Sequence, residues 1–239
     1  MTERDSVGVV GDDEVAERLR EAGVTVETGT PETVPATDAV VAVGEGAVTA
    51  VARAERDPLV VPVDAGRGVR SVPRDRVADA VASLDTVRVE HHPLLSVALD
   101  DDPVGTAVWD ATLVTADAAH ISEYTVASPT DHVGTFRADG VVVSTPAGSP
   151  GYARRIGGPV VEPAPVSVVT PIAPFATNPD HLVLPGETVT VTVDRDEAEV
   201  SLFVDGTERG TVSYGDSVTL ARQGRWRAAV VDSSRSRFD

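Results

Sequence analysis

Residues 139–159, DGVVVSTPAGSPGYARRIGGP, carry the strongest signal for the fold of this chain. An apolar strand leads into a turn of small and hydroxyl residues, a short helix follows, and Gly157, Gly158 and Pro159 end that helix. Such a transition from strand to turn to helix exposes backbone N–H groups and hydroxyls beside a helix N-terminus. The stretch therefore predicts a site that binds phosphate groups or ribose hydroxyls.

The composition is that of a globular protein with an unusual core. A chain of 239 residues can bury a substantial core in one or two domains. Hydrophobic residues make up 41% of it but aromatic residues only 4%, so we expect Val and Ala to fill the core. No apolar run reaches the roughly 20 residues of a membrane span, and no signal-peptide pattern is present, so we expect a cytoplasmic protein without membrane partners. The absence of Cys excludes disulfides, zinc-thiolate sites and thiol nucleophiles.

The charge balance points to a cytoplasm of very high salt concentration. The formal net charge is −18, and all 20 basic residues are Arg because the sequence has no Lys. At 1 M salt the Debye length is about 3 Å, so repulsion between the many carboxylates is screened. An ordinary acidic protein is the alternative. The same charge argues against a nucleic-acid partner, and the lack of Lys excludes a Walker-type phosphate loop.

The pattern of apolar segments predicts two domains. In the first 86 residues, Val-rich strands alternate with helices, which favours a parallel sheet. Strands are expected at 7–10, 24–27, 39–43 and 59–63, and helices after residue 12 and at 46–56 and 74–84. The chain then becomes rich in short strands, expected at 87–91, 94–99, 105–115, 123–127, 135–137, 141–144, 166–170, 188–194, 199–205 and 217–220. We predict an α/β domain over 1–86, against which the tail 223–239 packs, and a β-rich domain over 87–222.

The first candidate site is the segment 41–48, VAVGEGAV, in which Glu45 lies between Gly44 and Gly46. The glycines allow a sharp turn and a close approach of a ligand. A carboxylate at the C-terminal end of a parallel strand lies where ligands usually bind in open α/β sheets. Glu45 could orient a metal ion or accept a proton from an attacking hydroxyl. The alternative is a tight turn with a solvated Glu.

The second candidate site is the turn at 144–152. Its residues 147–151 loosely resemble the nucleophile elbow of hydrolases, but Pro150 would remove the N–H of the oxyanion hole. The five His have no metal-ligand spacing, so no metal site built by the protein alone is expected.

Both segments resemble motifs of the NAD kinase family. Residues 139–159 are similar to the family's DG…STPTGSTAY…GGP, with substitutions at Ala147, Pro150 and Gly151. Residues 43–46, VGEG, are similar to the family's GGDG, with Glu45 at the position of the Asp. Weaker similarity to family motifs extends over nearly the whole chain, at 63–67, 90–95, 169–174, 182–185 and 204–207. At the family's Asn-Glu pair this chain has Asp110 and Ala111.

The resemblance implies a divergent, haloarchaeal-type NAD kinase with a Rossmann-like α/β domain, a β-rich domain and the dinucleotide in a cleft between them. The family transfers the terminal phosphoryl group of ATP or polyphosphate to the adenosine 2′-hydroxyl of NAD. Glu45 would be the base or the metal-side carboxylate, and Mg²⁺ would arrive with the nucleotide. A homo-dimer or homo-tetramer is also implied. The residues expected to contact nucleotide are Gly44, Gly46, Asp64, Gly66, Arg67, Asp110, Asp139, Ser144, Gly148, Ser149 and Tyr152.

The substitutions leave two other functions open. A non-catalytic NAD(P)-binding or regulatory paralogue could keep the fold, because the changes at Val43, Glu45, Ala111, Ala147 and Pro150 all fall on working positions of the family. A kinase of lipids or other small molecules that shares the GGDG-type turn is the third reading.

Overall fold

The structure, a computed structural model, describes residues 6–116, 121–175, 180–185, 187–195 and 199–238. The chain divides into two compact units, one formed by Met1–His92 with Arg225–Asp239 and the other by Pro93–Gly224. These boundaries lie within two long strands, whereas the sequence suggested boundaries after residues 86 and 222.

The first unit contains four short strands, three α-helices and the ends of two longer strands. Its elements are β1 (Val7–Val10), α1 (Asp13–Glu21), β2 (Val26–Gly29), β3 (Ala39–Val43), α2 (Gly44–Ala52), β4 (Leu59–Val63), a 3₁₀ turn (Arg74–Arg76), α3 (Val77–Ala82) and parts of β5 (Arg88–Leu99) and β16 (Ser217–Val230).

The sheet of this unit is parallel, in the order β2-β1-β3-β4, and residues 227–228 of β16 pair in parallel with β4. Strands β1, β3 and β4 are buried along their whole length, as expected of a parallel sheet covered on both faces. The Asp12 side chain accepts a hydrogen bond from the Val15 N–H and so caps α1. Val, Ala and Leu side chains form the core.

Strand β2 departs from the prediction of a buried strand at 24–27. It begins two residues later, at Val26, and its side chains are half-buried or exposed. The reason is its place in the sheet, because β2 pairs with β1 alone and is therefore an edge strand. Helix α2 also differs, since it begins at Gly44 and ends at Ala52 rather than spanning 46–56.

In this unit the buried side chain of His92 lies close to the ion pair of Glu90 with Arg237. The ring of His92 is fully buried and stacks on Trp226, with 4.8 Å between ring centroids. Burial lowers the pKa of His92 to about 3, and the positive charges of Arg237 and His91 act in the same direction. His92 is therefore neutral at pH 7.

This neutral His makes stability depend on pH. The unfolded state binds a proton near pH 6.5 and the folded state only near pH 3, so the contribution of neutral His92 is complete above pH 6.5 and is lost as the pH falls toward 3. Between pH 7 and pH 5 we expect wild type to lose about 2 kcal/mol more than His92→Phe, which keeps an aromatic ring beside Trp226. Urea unfolding at both pH values measures the difference. Equal losses in the two proteins would contradict the assignment.

The second unit is almost entirely β-structure. Besides the remaining parts of β5 and β16, its elements are β6 (Asp102–Ala107), β7 (Asp110–Thr115), β8 (Ser122–Ala127), β9 (His132–Ala138), β10 (Gly140–Ser144), α4 (Tyr152–Arg155), β11 (Val166–Ile172), β12 (Leu182–Pro185), β13 (Thr188–Arg195), β14 (Val200–Val204) and β15 (Thr207–Val212).

Two antiparallel sets of strands enclose the core of this unit. One is a six-stranded sheet in the order β12-β11-β10-β7-β14-β15. In the other, β13 pairs with β8 and with residues 217–221 of β16, and β8 pairs with β9. Val and Leu side chains from both sets form the core, together with buried Tyr124.

The predicted strand at 105–115 is two strands in the structure. Residues 108 and 109 lie between β6 and β7, where the carboxylate of Asp205 binds the backbone. The segments predicted at 87–91 and 94–99 form the single strand β5, with Pro93 inside it. The predicted fold class, a parallel α/β unit followed by a β-rich unit, is confirmed. No helix in the described part of the chain is long and apolar enough to cross a membrane.

Candidate functional site

Glu45 lies at the carboxyl edge of the parallel sheet, in the first turn of α2. Gly44 has a φ of +82°, a conformation that favours glycine, and it lets β3 turn directly into the helix. The residue before the helix is Val43, which provides no side-chain cap. The exposed Glu45 carboxylate therefore lies beside N-terminal backbone N–H groups that no side chain caps.

The loop after β4 approaches this carboxylate. Gly66 also has a φ of +82°, and a Cβ atom at Gly66 would lie 3.1 Å from Oε1 of Glu45. The Ser71 side chain and backbone N–H both donate to the Gly66 carbonyl, which fixes the loop. The structure thus places Gly66, which was predicted separately to contact nucleotide, beside Gly44 and Glu45 of the first candidate site. Gly46 lies in the same helical turn, with open space around its Cα.

Asp64 has a role that the sequence did not predict. Its carboxylate pairs with Arg74 at 3.5 Å and with Arg235 at 3.1 Å, and Arg74 also pairs with Asp12 at 2.9 Å. Asp64, which was predicted to contact nucleotide, is thus bound to two guanidinium groups, and its contact with nucleotide stays a prediction. These cations reach the edge of the sheet at which β1 and β4 end. Sequence reasoning proposed Arg67 instead; Arg67 is exposed in the same loop, and its carbonyl accepts from the Arg70 N–H.

In the second unit, buried hydrogen bonds shape the turn after β10. The Thr145 hydroxyl donates to the Val108 carbonyl at 2.7 Å and accepts from the Gly148 N–H at 3.2 Å. The Thr145 N–H donates to the Trp109 carbonyl at 2.9 Å. The turn is thus tied to the segment between β6 and β7.

Close packing requires glycine at three positions within residues 139–159. A Cβ atom would lie 2.3 Å from the Leu113 carbonyl at Gly140, 2.0 Å from the Trp109 carbonyl at Gly148, and 2.5 Å from the Thr170 hydroxyl at Gly158. No side chain fits at such distances. Gly148, predicted to contact nucleotide, is explained by this approach of two backbone segments.

Ser144 and Asp110 lie side by side on one face of the six-stranded sheet. They are direct partners in the pairing of β10 with β7, and the pair Val142–Thr170 lies on the same face. Ser144 Oγ and Thr170 Oγ1 are buried and make no hydrogen bond within the part of the chain that the structure describes. Both hydroxyls are closed off from solvent, so each leaves a hydrogen-bonding group without a described partner. Asp110 accepts from the Thr112 hydroxyl at 3.3 Å.

Three other residues were predicted to contact nucleotide, and their surroundings differ from those of Ser144 and Asp110. The Ser149 hydroxyl is buried, donates to the Pro146 carbonyl and accepts from the Val161 N–H, so internal bonds already engage it. Tyr152 is 41% exposed at the start of α4. Asp139 precedes β10, at the opposite end of the strand from Ser144 and roughly 17 Å away along it. Asp139 is thus not brought together with Ser144 and Asp110.

Asp205 organises this region, whereas the sequence marked it only as part of the segment 204–207. Its carboxylate accepts hydrogen bonds from the backbone N–H groups of Val108, Trp109 and Asp110, at 2.9, 2.8 and 3.0 Å. Its φ of +48° places it in the left-handed region. A DG pair indicates a turn, but nothing in the sequence shows which distant amides the carboxylate binds.

The Asp205 carboxylate should therefore matter for stability. We expect Asp205→Ala to lower the free energy of unfolding by about 3 kcal/mol, because three partly buried N–H groups lose a charged acceptor. Glu199→Ala, which also removes a carboxylate from the second unit, is the matched control. Chemical denaturation measures both, and a loss no greater than that of the control would contradict this role.

Comparison with known proteins shows the family to which this chain belongs. Residues 109–231, just over half of the chain, match the family model of the ATP-NAD kinase C-terminal domain. The chain belongs to the NAD kinase family. The matched residues include the turn at 144–152, Asp110 and Asp205.

Several curated proteins to which this chain is similar are NAD kinases. The NAD kinase of Gemmatimonas aurantiaca is 33% identical over 157 residues, which cover 62% of this chain and 54% of the relative. That of Methanopyrus kandleri is 29% identical over 207 residues, 82% of this chain and 75% of the relative. That of Nitratidesulfovibrio vulgaris is 40% identical over 120 residues, 49% and 42% of the two chains. The aligned part is thus only about half of the length of some of these NAD kinases.

Two solved structures of the family have the same fold. Yeast NADH kinase complexed with NADH superimposes with a TM-score of 0.76 at 16% identity, covering 95% of this chain and 83% of that one. The NAD kinase from Archaeoglobus fulgidus in complex with ATP gives 0.73 at 23% identity, covering 95% and 94%. At these identities the likeness establishes the fold.

Proposed function

We propose that this chain is an NAD kinase, which transfers the terminal phosphoryl group of ATP or polyphosphate to the adenosine 2′-hydroxyl of NAD and so forms NADP. The observation that carries the proposal is the position of Glu45. Its carboxylate lies at the carboxyl edge of a parallel sheet, in the first turn of a helix without a side-chain cap, next to the loop of Gly66.

This position suits a base for the attacking hydroxyl. A carboxylate within hydrogen-bond reach of the 2′-hydroxyl can accept its proton as the bond to phosphorus forms. Phosphoryl transfer otherwise depends on positioning and on neutralising the charge of the phosphates. The N–H groups in the first turn of α2, which no side chain caps, provide partial positive charge in a chain without Lys.

In this proposal Mg²⁺ enters the site bound to the phosphates of the donor. No group of three or more His, Asp or Glu side chains with metal-binding geometry occurs among the described residues. An exposed carboxylate such as Glu45 is a suitable oxygen ligand for an ion that is already bound to phosphates.

Ser144 and Asp110 are the best candidates for contacts with the dinucleotide. Buried hydroxyls without a protein partner are uncommon because an unmade hydrogen bond is costly, and a ribose or adenine edge would supply the missing partner for Ser144. The expected cleft between the two domains stays a prediction.

NADP formation in molar KCl tests the proposal directly. We expect NADP from NAD with ATP-Mg²⁺ or with polyphosphate, and separate assays with each donor identify which one is used. No product, together with thermal stabilisation by NAD, would support the alternative of a non-catalytic paralogue. Two observations favour that alternative: internal hydrogen bonds engage the Ser149 hydroxyl, and Ala147 lacks a hydroxyl. Neither product nor stabilisation would contradict the nucleotide assignment.

We further propose a salt-adapted, haloarchaeal-type cytoplasmic protein that forms a homo-dimer or homo-tetramer and binds nucleotides rather than nucleic acids or membranes. The net charge of −18 supports the salt adaptation and argues against a nucleic-acid partner, whereas the oligomer is proposed from the family resemblance. Size-exclusion chromatography with light scattering in molar KCl measures the oligomer, and melting temperature as a function of KCl measures the adaptation.

A further inference from the structure

The segment 235–237 is bound along the loop that follows β4. This loop, residues 64–71, is called the β4 loop here. The Arg237 side chain is buried, and its Nε and Nη2 atoms donate to the Gly68 carbonyl at 3.2 and 3.0 Å. Arg237 also pairs with Glu90 at 2.7 Å, so the guanidinium is held from two directions.

Arg235 binds the two ends of the same loop. Its N–H donates to the Ser71 carbonyl at 3.1 Å, and its guanidinium pairs with the Asp64 carboxylate at 3.1 Å. The Arg70 side chain donates in turn to the Arg235 carbonyl at 3.4 Å. The segment therefore contacts the β4 loop at its beginning, middle and end.

The β4 loop reaches the proposed active site at Gly66, next to Glu45. Gly66 has a left-handed conformation. The contacts of segment 235–237 with the β4 loop join two parts of the first unit that are more than 160 residues apart in the sequence. A loop without regular structure keeps one position only when contacts such as these fix it. Misplacement of a site element by about 1 Å can cost roughly a hundredfold in rate.

We infer that Arg235 and Arg237 are positioning residues, which hold the β4 loop against Glu45 so that it can receive the phosphates of the donor. This inference rests on the proposed function. Arg235 brings a guanidinium to the edge of the site through Asp64, and Arg237 fixes the Gly68 carbonyl with two N–H groups that converge on its oxygen. A Lys at 237 would keep the charge beside Glu90 but would lose the forked contact.

Two variants separate positioning from stability. Arg235→Gln removes a half-exposed ion pair, and Arg237→Lys keeps the buried charge, so both proteins are expected to fold. We expect each to raise the KM for the phosphoryl donor about tenfold and to leave the KM for NAD within about twofold. Arg225→Gln, at an exposed Arg of the first unit, is the matched control and should change neither constant.

Hydrogen exchange supplies a measurement that does not need activity. In both variants the amides of residues 65–71 should exchange at least about tenfold faster than in wild type, while those of β10 stay unchanged. Unchanged exchange in the β4 loop would overturn the inference, whether or not the wild type forms NADP. Faster exchange with an unchanged donor KM would also overturn it, because the loop would then be structural only. A wild type without NADP formation would contradict the proposed function, and the exchange data would still show whether segment 235–237 fixes the loop.

Discussion

Glu45→Ala should lower kcat for NADP formation by about 10²- to 10⁴-fold, the range expected for loss of a general base. The side chain lies in the first turn of α2 and is exposed, so its removal leaves no buried partner unsatisfied. The fold should therefore be retained, and the KM for NAD should change little. Initial rates of NADP formation in molar KCl measure the effect, and the melting temperature shows whether the fold is intact.

Two further variants test whether the carboxylate itself is responsible. Glu45→Gln keeps the size of the side chain and should be as slow as Glu45→Ala. Glu45→Asp restores the residue type of the family's GGDG turn and should keep a substantial part of the activity. If Glu45→Ala retained wild-type kcat, the proposed role of the carboxylate would be wrong.

Gly148→Ala should strongly destabilise the second unit. The new Cβ atom would lie 2.0 Å from the carbonyl oxygen of Trp109 and 2.5 Å from its carbonyl carbon, and backbone cannot move aside as a flexible side chain can. We expect the free energy of unfolding to fall by at least about 3 kcal/mol. Chemical denaturation measures the loss, and NAD should no longer stabilise the variant because the turn is displaced.

Gly134→Ala provides the matched control in the same unit. Gly134 lies in β9, and an added Cβ atom would meet nothing within 4 Å. This variant should be neutral or slightly more stable, by up to about 1 kcal/mol, because Ala loses less backbone entropy than Gly on folding. Similar behaviour of the two variants would show that the contact with Trp109 does not determine stability.

The elements that follow from local pattern could be predicted from the sequence. Strands β1, β3 and β4 are short Val-rich runs between polar turns, and their predicted bounds agree with the structure. A helix was predicted after residue 12, and in the structure the Asp12 side chain caps α1. The position of Glu45 at the end of β3 followed from the same alternation of strands and helices.

The parts that could not be predicted depend on contacts between distant residues. The polar residues of β2, VETG, set it apart from the apolar strands β1, β3 and β4, but its place at the edge depends on strand order. Arg74 and Arg235 are separated by 161 positions in the sequence, and only the fold brings both to Asp64. The sequence motif likewise could not show that Ser149 is engaged internally while the Ser144 hydroxyl has no described partner.

The predominance of valine in both cores has a practical consequence for spectroscopy. Buried valines occur in β1, β3 and β4 of the first unit and in β10, β13 and β14 of the second. Selective ¹³C labelling of valine methyl groups would therefore place NMR reporters throughout both units of this 24.8 kDa chain. Titration with NAD and, separately, with ATP would then show which set of methyl resonances responds to each nucleotide.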